Sequence, residues 1–172
     1  IAIFTGGAGT IDVNGNMTSA DFTASSTTTY LSGTTVTFTT FADNGGSLYL
    51  DGAGNQAFTT GGQDVNDLYV SAGTSEITVT GALNVTGLLD VDANQTLTLS
   101  GAMTVTGNTT NDGTITGGAG LVTFTGTVTN NAAITAGGGG ITFSSTVANN
   151  DTITAGGGDI TFSATVTNAA AA

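Results

Sequence analysis

The sequence predicts an all-β chain: a parallel β-solenoid (β-helix) with about 19–20 residues per coil, three short strands per coil and roughly nine coils. Three observations predict it. The first is a period of 19 residues from Asn111 to the C-terminus. Asn111, Asn130, Asn149 and Asn168 share one phase; Val105, Phe124, Phe143 and Phe162 share another; Met103, Val122, Ile141 and Ile160 a third; Ile115, Ile134 and Ile153 a fourth. The second is the size of that unit. So short a segment, with so little apolar content, cannot bury a core alone and folds only by stacking on its neighbours. The third is composition. Thr is the most frequent residue, Gly follows with 28 copies, and Val, Ile and Phe carry the apolar pattern, which is a strand composition.

Residues 130–148 show how one coil is built. Asn130-Asn131 marks a turn, since Asn tolerates left-handed backbone and makes side-chain turns. Ile134 lies in a short strand, and Ala136 to Gly140 forms a second turn. Ile141-Thr142-Phe143-Ser144 alternates apolar and polar with period two, the mark of a half-buried strand. Thr146-Val147-Ala148 is the third strand. Ile134, Ile141, Phe143 and Val147 are expected to face inward, and Thr, Ser and Ala outward. The Phe column is expected to stack ring on ring, and the Asn column to form an amide ladder. Helical solenoids need units of about 33 residues or more. A β-sandwich or hairpin meander, the main competitor, needs no fixed phase. Crossover rules predict a right-handed coil.

The pattern extends upstream with a drifting period. Ile77 and Val79 return as Leu97 and Leu99, Leu83 and Val85 as Met103 and Val105, and Leu48-Tyr49-Leu50 as Leu68-Tyr69-Val70. Gly6-Gly7-Ala8-Gly9 before Ile11 and Val13 matches Gly117-Gly118-Ala119-Gly120 before Val122 and Phe124. Residues 1–172 therefore read as one solenoid, most regular over 77–168, with an irregular or inserted coil at 16–46. At about 4.8 Å per coil, nine coils make a rod about 40 Å long.

Charge narrows the function. The net charge is −12 with no Lys, Arg or His, so no side-chain ion pair can form within the chain. Nucleic-acid binding through counterion release requires cations, and so does attraction to an anionic membrane. No apolar run of about 20 residues suggests membrane insertion, and the absence of Cys excludes disulfides. With no His, Cys, Lys or Arg, general-base, thiolate and oxyanion chemistry lack their usual side chains. The reading is of a chain that is not an enzyme. A carboxylate pair such as Asp64 and Asp67 is the nearest approach to a glycosidase, and that reading ranks last.

Other motifs are weak. Gly6-Gly7-Ala8-Gly9-Thr10-Ile11-Asp12 approaches the calcium-binding nonapeptide with its acid one residue late, Gly117 to Phe124 has the glycines and no acid, and Gly156-Gly157-Gly158-Asp159 places the acid wrongly, so these are expected to be turn glycines at positive φ. Asp90-Val91-Asp92-Ala93-Asn94 opens like a calcium loop but has Gly101 where the twelfth-position Glu belongs. Calcium at Asp90 and Asp92 is the only cofactor the sequence suggests. The sequons at Asn16, Asn84, Asn94, Asn108 and Asn150 occur at the rate expected from so much Ser and Thr. Outward Thr columns (Thr123, Thr142, Thr161; Thr127, Thr146, Thr165; Thr116, Thr135, Thr154) resemble the faces of ice-binding β-solenoids. Such faces show a T-x-T pair in every coil, and here the pairing decays, since Thr125 becomes Ser144 and Ser163 in the following coils.

The run from Leu97 through Gly101, Gly107 and Asn111 to Thr116 resembles the β-strand repeats of large bacterial surface proteins of the filamentous-haemagglutinin and autotransporter-passenger type. The resemblance covers most of the chain through composition and repeat style. It implies a secreted, cell-surface or matrix fibre protein with a structural or adhesive role, and carries over no binding residue. The chain begins and ends in mid-pattern without a recognisable cap, so self-association by end-to-end stacking into a filament is expected.

Overall fold

The computed structural model describes residues 3–71 and 76–169. Among these residues there is no helix, and all regular structure is strand. The strands stack into three sheets, of nine, six and nine strands. The first sheet runs Ile3–Thr5, Met17–Thr23, Thr35–Ala42, Gln56–Thr59, Ile77–Val79, Thr96–Leu99, Thr114–Thr116, Ile134–Thr135 and Ile153–Thr154. The second holds Asp64–Val65, Leu83–Val85, Met103–Val105, Val122–Phe124, Ile141–Phe143 and Ile160–Phe162. The third holds Ile11–Val13, Thr28–Leu31, Ser47–Leu50, Asp67–Val70, Leu89–Val91, Thr109–Asn111, Val128–Asn130, Val147–Asn149 and Val166–Asn168. Every pairing is parallel and joins a strand to its counterpart one coil away. This is the parallel β-solenoid of about nine coils that the period predicts.

Registers follow the sequence phases. Val105, Phe124, Phe143 and Phe162 align, as do Met103, Val122, Ile141 and Ile160. Ile115, Ile134 and Ile153 align over Leu97. Ile134, Ile141, Phe143 and Val147 all point into the core and are buried. Thr142, between two buried neighbours, is half-exposed, so the period-two alternation has its physical cause in one dry face and one wet one. The Phe124, Phe143 and Phe162 rings are stacked at 5.2 and 5.0 Å, within 10° of parallel. That spacing is set by the coil rise and suits offset aromatic packing.

Two expectations are corrected. Ile11 and Val13 do not share a sheet with Val122 and Phe124. They belong to the third sheet, aligned with Thr29 and Leu31, whereas Val122–Phe124 lies in the second. The reason is a missing corner. In the second and third coils a single long strand, Met17–Thr23 or Thr35–Ala42, runs through the bend that later separates the first two sheets. Thr35–Thr37 supports Ala57–Thr59, while Thr40–Ala42 pairs back onto Asp21–Thr23. Residues 16–46 thus lie within the stack, as coils with one fewer corner.

The second correction concerns glycine. Of the residues 117–120, 137–140 and 156–158, only Gly140 has positive φ, at 81°. Most of the other glycines have no room for a side chain because coils touch backbone to backbone, whereas Gly138 and Gly157 have room, with nothing closer than 3.9 and 3.8 Å. A Cβ on Gly137 would overlap the Gly118 carbonyl oxygen, and one on Gly118 that of Leu99. Side-chain volume, not backbone freedom, decides these positions.

Candidate functional site

The interior is full, and no enclosed pocket exists among the described residues. What the fold offers a partner is its outer faces and its ladders. Each short strand sets one or two side chains outward, and parallel in-register pairing copies that position along the rod. Function on such a body resides in rows.

The buried amide ladder comes first. Asn111 Nδ2 donates to Asn130 Oδ1 at 2.8 Å, Asn130 Nδ2 to Asn149 Oδ1 at 2.8 Å, and Asn149 Nδ2 to Asn168 Oδ1 at 3.1 Å. The second proton of Asn111 reaches the Ala133 carbonyl and that of Asn130 the Thr152 carbonyl, both at 3.2 Å. Asn111 and Asn130 are fully buried. The same column below them is aliphatic: Val13, Leu31, Leu50, Val70 and Val91. At that junction Asn111 Oδ1 accepts no hydrogen bond. A second ladder runs outside the corner, where Asn150 Nδ2 donates to Asn131 Oδ1 and Asn131 Nδ2 to Asp112 Oδ1, each at 2.6 Å.

Threonine rows line two faces. On the second sheet Thr104, Thr123, Thr142 and Thr161 follow Asp64 and Asn84. On the first sheet Thr78, Thr98, Thr116, Thr135 and Thr154 are in register. That sheet also carries T-x-T pairs that the sequence reading overlooked: Thr96 with Thr98, Thr114 with Thr116, and Thr152 with Thr154, interrupted at Ala133. Thr127, Thr146 and Thr165 align at a corner, exposed, just before third-sheet strands.

The third sheet differs. Its outward row reads Asp12, Tyr30, Tyr49, Tyr69, Asp90, Thr110, Thr129, Ala148, Thr167. These are all three tyrosines of the chain. Their rings stack at 4.8 and 4.4 Å. Burial between its neighbours, with the neighbouring phenols and Asp90 nearby, pushes the Tyr49 hydroxyl pKa up. The sequence showed Tyr49 and Tyr69 in repeated triplets. Tyr30 escaped because its inward neighbour is Thr29, where the later coils have Leu48 and Leu68.

The acids do not gather as an active site would. Asp64 faces out from the second sheet and accepts from Asn84 Nδ2 at 3.1 Å, whereas Asp67 starts a third-sheet strand and accepts the Leu88 N–H at 2.8 Å. Asp90 is half-buried on the third-sheet face. Burial first, then Asp92 and Asp112, raises its pKa. Among the described residues no three acidic side chains converge as metal ligands would, and no helix is long and apolar enough to cross a membrane.

Fold and surface together define a parallel β-solenoid repeat protein, with one buried and one surface polar ladder and one aromatic face. No family model, curated protein or solved structure matches it.

Proposed function

We propose that this chain is a non-catalytic structural segment: the shaft of an extracellular fibre or adhesin, of the kind found on bacterial surfaces or in biofilm matrix, extending by stacking coils and joining end to end into filaments. One observation carries the reading. Each coil's backbone partners are the coils on either side, through three parallel sheets whose columns run with the rod axis. The stack is its own template, and stability comes from continuity. Two further features support it: no pocket among the described residues, and a sequence without Lys or Arg, which offers trypsin-like proteases no cleavage site. Negative-stain electron microscopy and fibre diffraction of the concentrated protein test it. Filaments with a meridional spacing of about 4.8 Å are expected. Monodisperse short particles at every concentration would refute the assembly.

A second reading rests on the paired threonine rows of the first sheet. Regular hydroxyls and methyls on a flat face suit an ice-binding module. Thermal hysteresis abolished by Thr116→Lys would favour it over the fibre.

A further inference from the structure

The outward row of the third sheet has an organisation that a shaft does not need. Its three stacked rings are closed at both ends by carboxylates: Asp12 below Tyr30 and Asp90 above Tyr69. The middle ring has both faces covered by its neighbours. The outer face of Tyr30 and the outer face of Tyr69 carry no ring, because the next residue in each direction is the short Asp side chain. Each end of the stack therefore pairs an open aromatic face with a carboxylate in the adjoining coil. More acids flank the row. Asp67 stands at the start of the Tyr69 strand, and Asp51, Asp92 and Asp112 each directly follow a third-sheet strand at the corner. No side-chain cation exists in the sequence to neutralise any of them.

We propose that this face docks an extended, arginine-bearing polypeptide segment of another protein, with one guanidinium seated at each end of the tyrosine stack. A guanidinium is planar and weakly hydrated, lies flat on an aromatic ring, and bonds a carboxylate in its own plane. The faces of Tyr30 and Tyr69 with Asp12 and Asp90 offer that combination twice. The outer rings lie two steps of 4.8 and 4.4 Å apart. Adding roughly 4 Å for a cation on each outer face places the two seats about 17 Å apart. An extended strand advances about 3.3 Å per residue, so the two arginines stand about four to six residues apart in the partner. A polypeptide fits this better than a small amine, because it also carries further cations to the acids along the corner. The proposal is independent of filament assembly.

The test is isothermal titration with a soluble peptide carrying two arginines five residues apart, against an isomer with the two arginines adjacent. Tyrosine emission gives a second readout, since the chain has no Trp and all its tyrosines lie in the row. Saturable binding of the spaced peptide is expected, at least about tenfold tighter than the isomer and weakened as salt rises. Asp12→Asn and Asp90→Asn are expected to weaken it about tenfold each, and Asp159→Asn, far along the rod, to leave it unchanged. All three are expected to keep the fold by circular dichroism, being outward isosteric changes. Equal affinity for the two peptides, or equal affinity in the Asp12→Asn and Asp90→Asn variants, would overturn the two seats. Spermine binding as tightly as the spaced peptide would overturn the polypeptide partner, and so would no heat and no change in emission with any peptide.

Discussion

Replacing Asn130 by alanine removes the middle rung of the buried amide ladder. The side chain makes three hydrogen bonds: it accepts from Asn111 Nδ2 at 2.8 Å and donates to Asn149 Oδ1 at 2.8 Å and to the Thr152 carbonyl at 3.2 Å. A typical protein hydrogen bond contributes about 1 kcal/mol net, so the three together are worth about 3 kcal/mol. Asn111 is fully buried and keeps only its bond to Ala133. Its orphaned N–H brings the expected loss to about 3–4 kcal/mol. Asn168→Ala removes one 3.1 Å bond in an exposed coil and is expected to cost less than about 1 kcal/mol. Denaturant unfolding followed by far-UV circular dichroism measures both. Because solenoids unfold as one-dimensional arrays, hydrogen exchange at the Ile134 and Asn150 amides, which bond across this junction, localises the effect. Equal losses in the two variants, or no coupling in an Asn111→Ala/Asn130→Ala cycle, would refute the ladder as a source of stability.

Further outcomes follow from the same geometry. Phe143→Ala, with rings on both faces, is expected to cost about 3–5 kcal/mol, and Phe162→Ala, 41% exposed with one partner, well under half of that in the same unfolding assay. Gly137→Ala is expected to destabilise by about 1–3 kcal/mol through overlap with the Gly118 carbonyl, whereas Gly138→Ala, whose Cβ would meet nothing closer than 3.9 Å, stays within about 0.5 kcal/mol; matched melting curves separate size from backbone freedom. Burial raises the Asp43 and Asp90 pKa values above the ordinary 3.8. The folded state then holds those protons more tightly than the unfolded one, so stability is expected to rise as pH falls from neutral toward about 4. Asp43→Asn and Asp90→Asn should each flatten the rise in melting temperature, and a melting temperature that falls over this range would contradict the assignment.

The sequence made the regular coils legible because a solenoid turns sequence distance directly into spatial distance. Once Phe124, Phe143 and Phe162 share a phase, their stacking follows, and so does the Asn ladder. Residues whose meaning depends on which corner they follow were not legible. The glycine run at 6–9 looks like that at 117–120, yet it leads to the third sheet, because one corner is absent in the early coils. Nor did the glycines reveal why they are glycines. The backbone that excludes a side chain at Gly137 belongs to the coil before it, so no local turn rule could identify the cause. The tyrosine row was visible in two coils and hidden in the third by Thr29.

The two asparagine ladders show what the periodic sequence resolves at the surface and leaves unresolved inside. A ladder in which each Nδ2 donates to the next Oδ1 always leaves its first acceptor without a donor. Outside the corner, where donation runs the other way and ends on the Asp112 carboxylate, that acceptor is Asn150 Oδ1, which is exposed and can be hydrated, so the row starts at no cost. Inside, it is Asn111 Oδ1, buried above Val91, which has nothing to donate. Placing Asn at position 91 would not remove the orphan. It would move it one coil down, to face Val70. The interior column therefore contains one unfavourable junction wherever amide meets aliphatic, set against a favourable bond at every later step. A long amide run dilutes that fixed penalty and a short one does not, so the buried ladder favours the arrangement seen here: a single switch at Asn111, followed by Asn in every later coil.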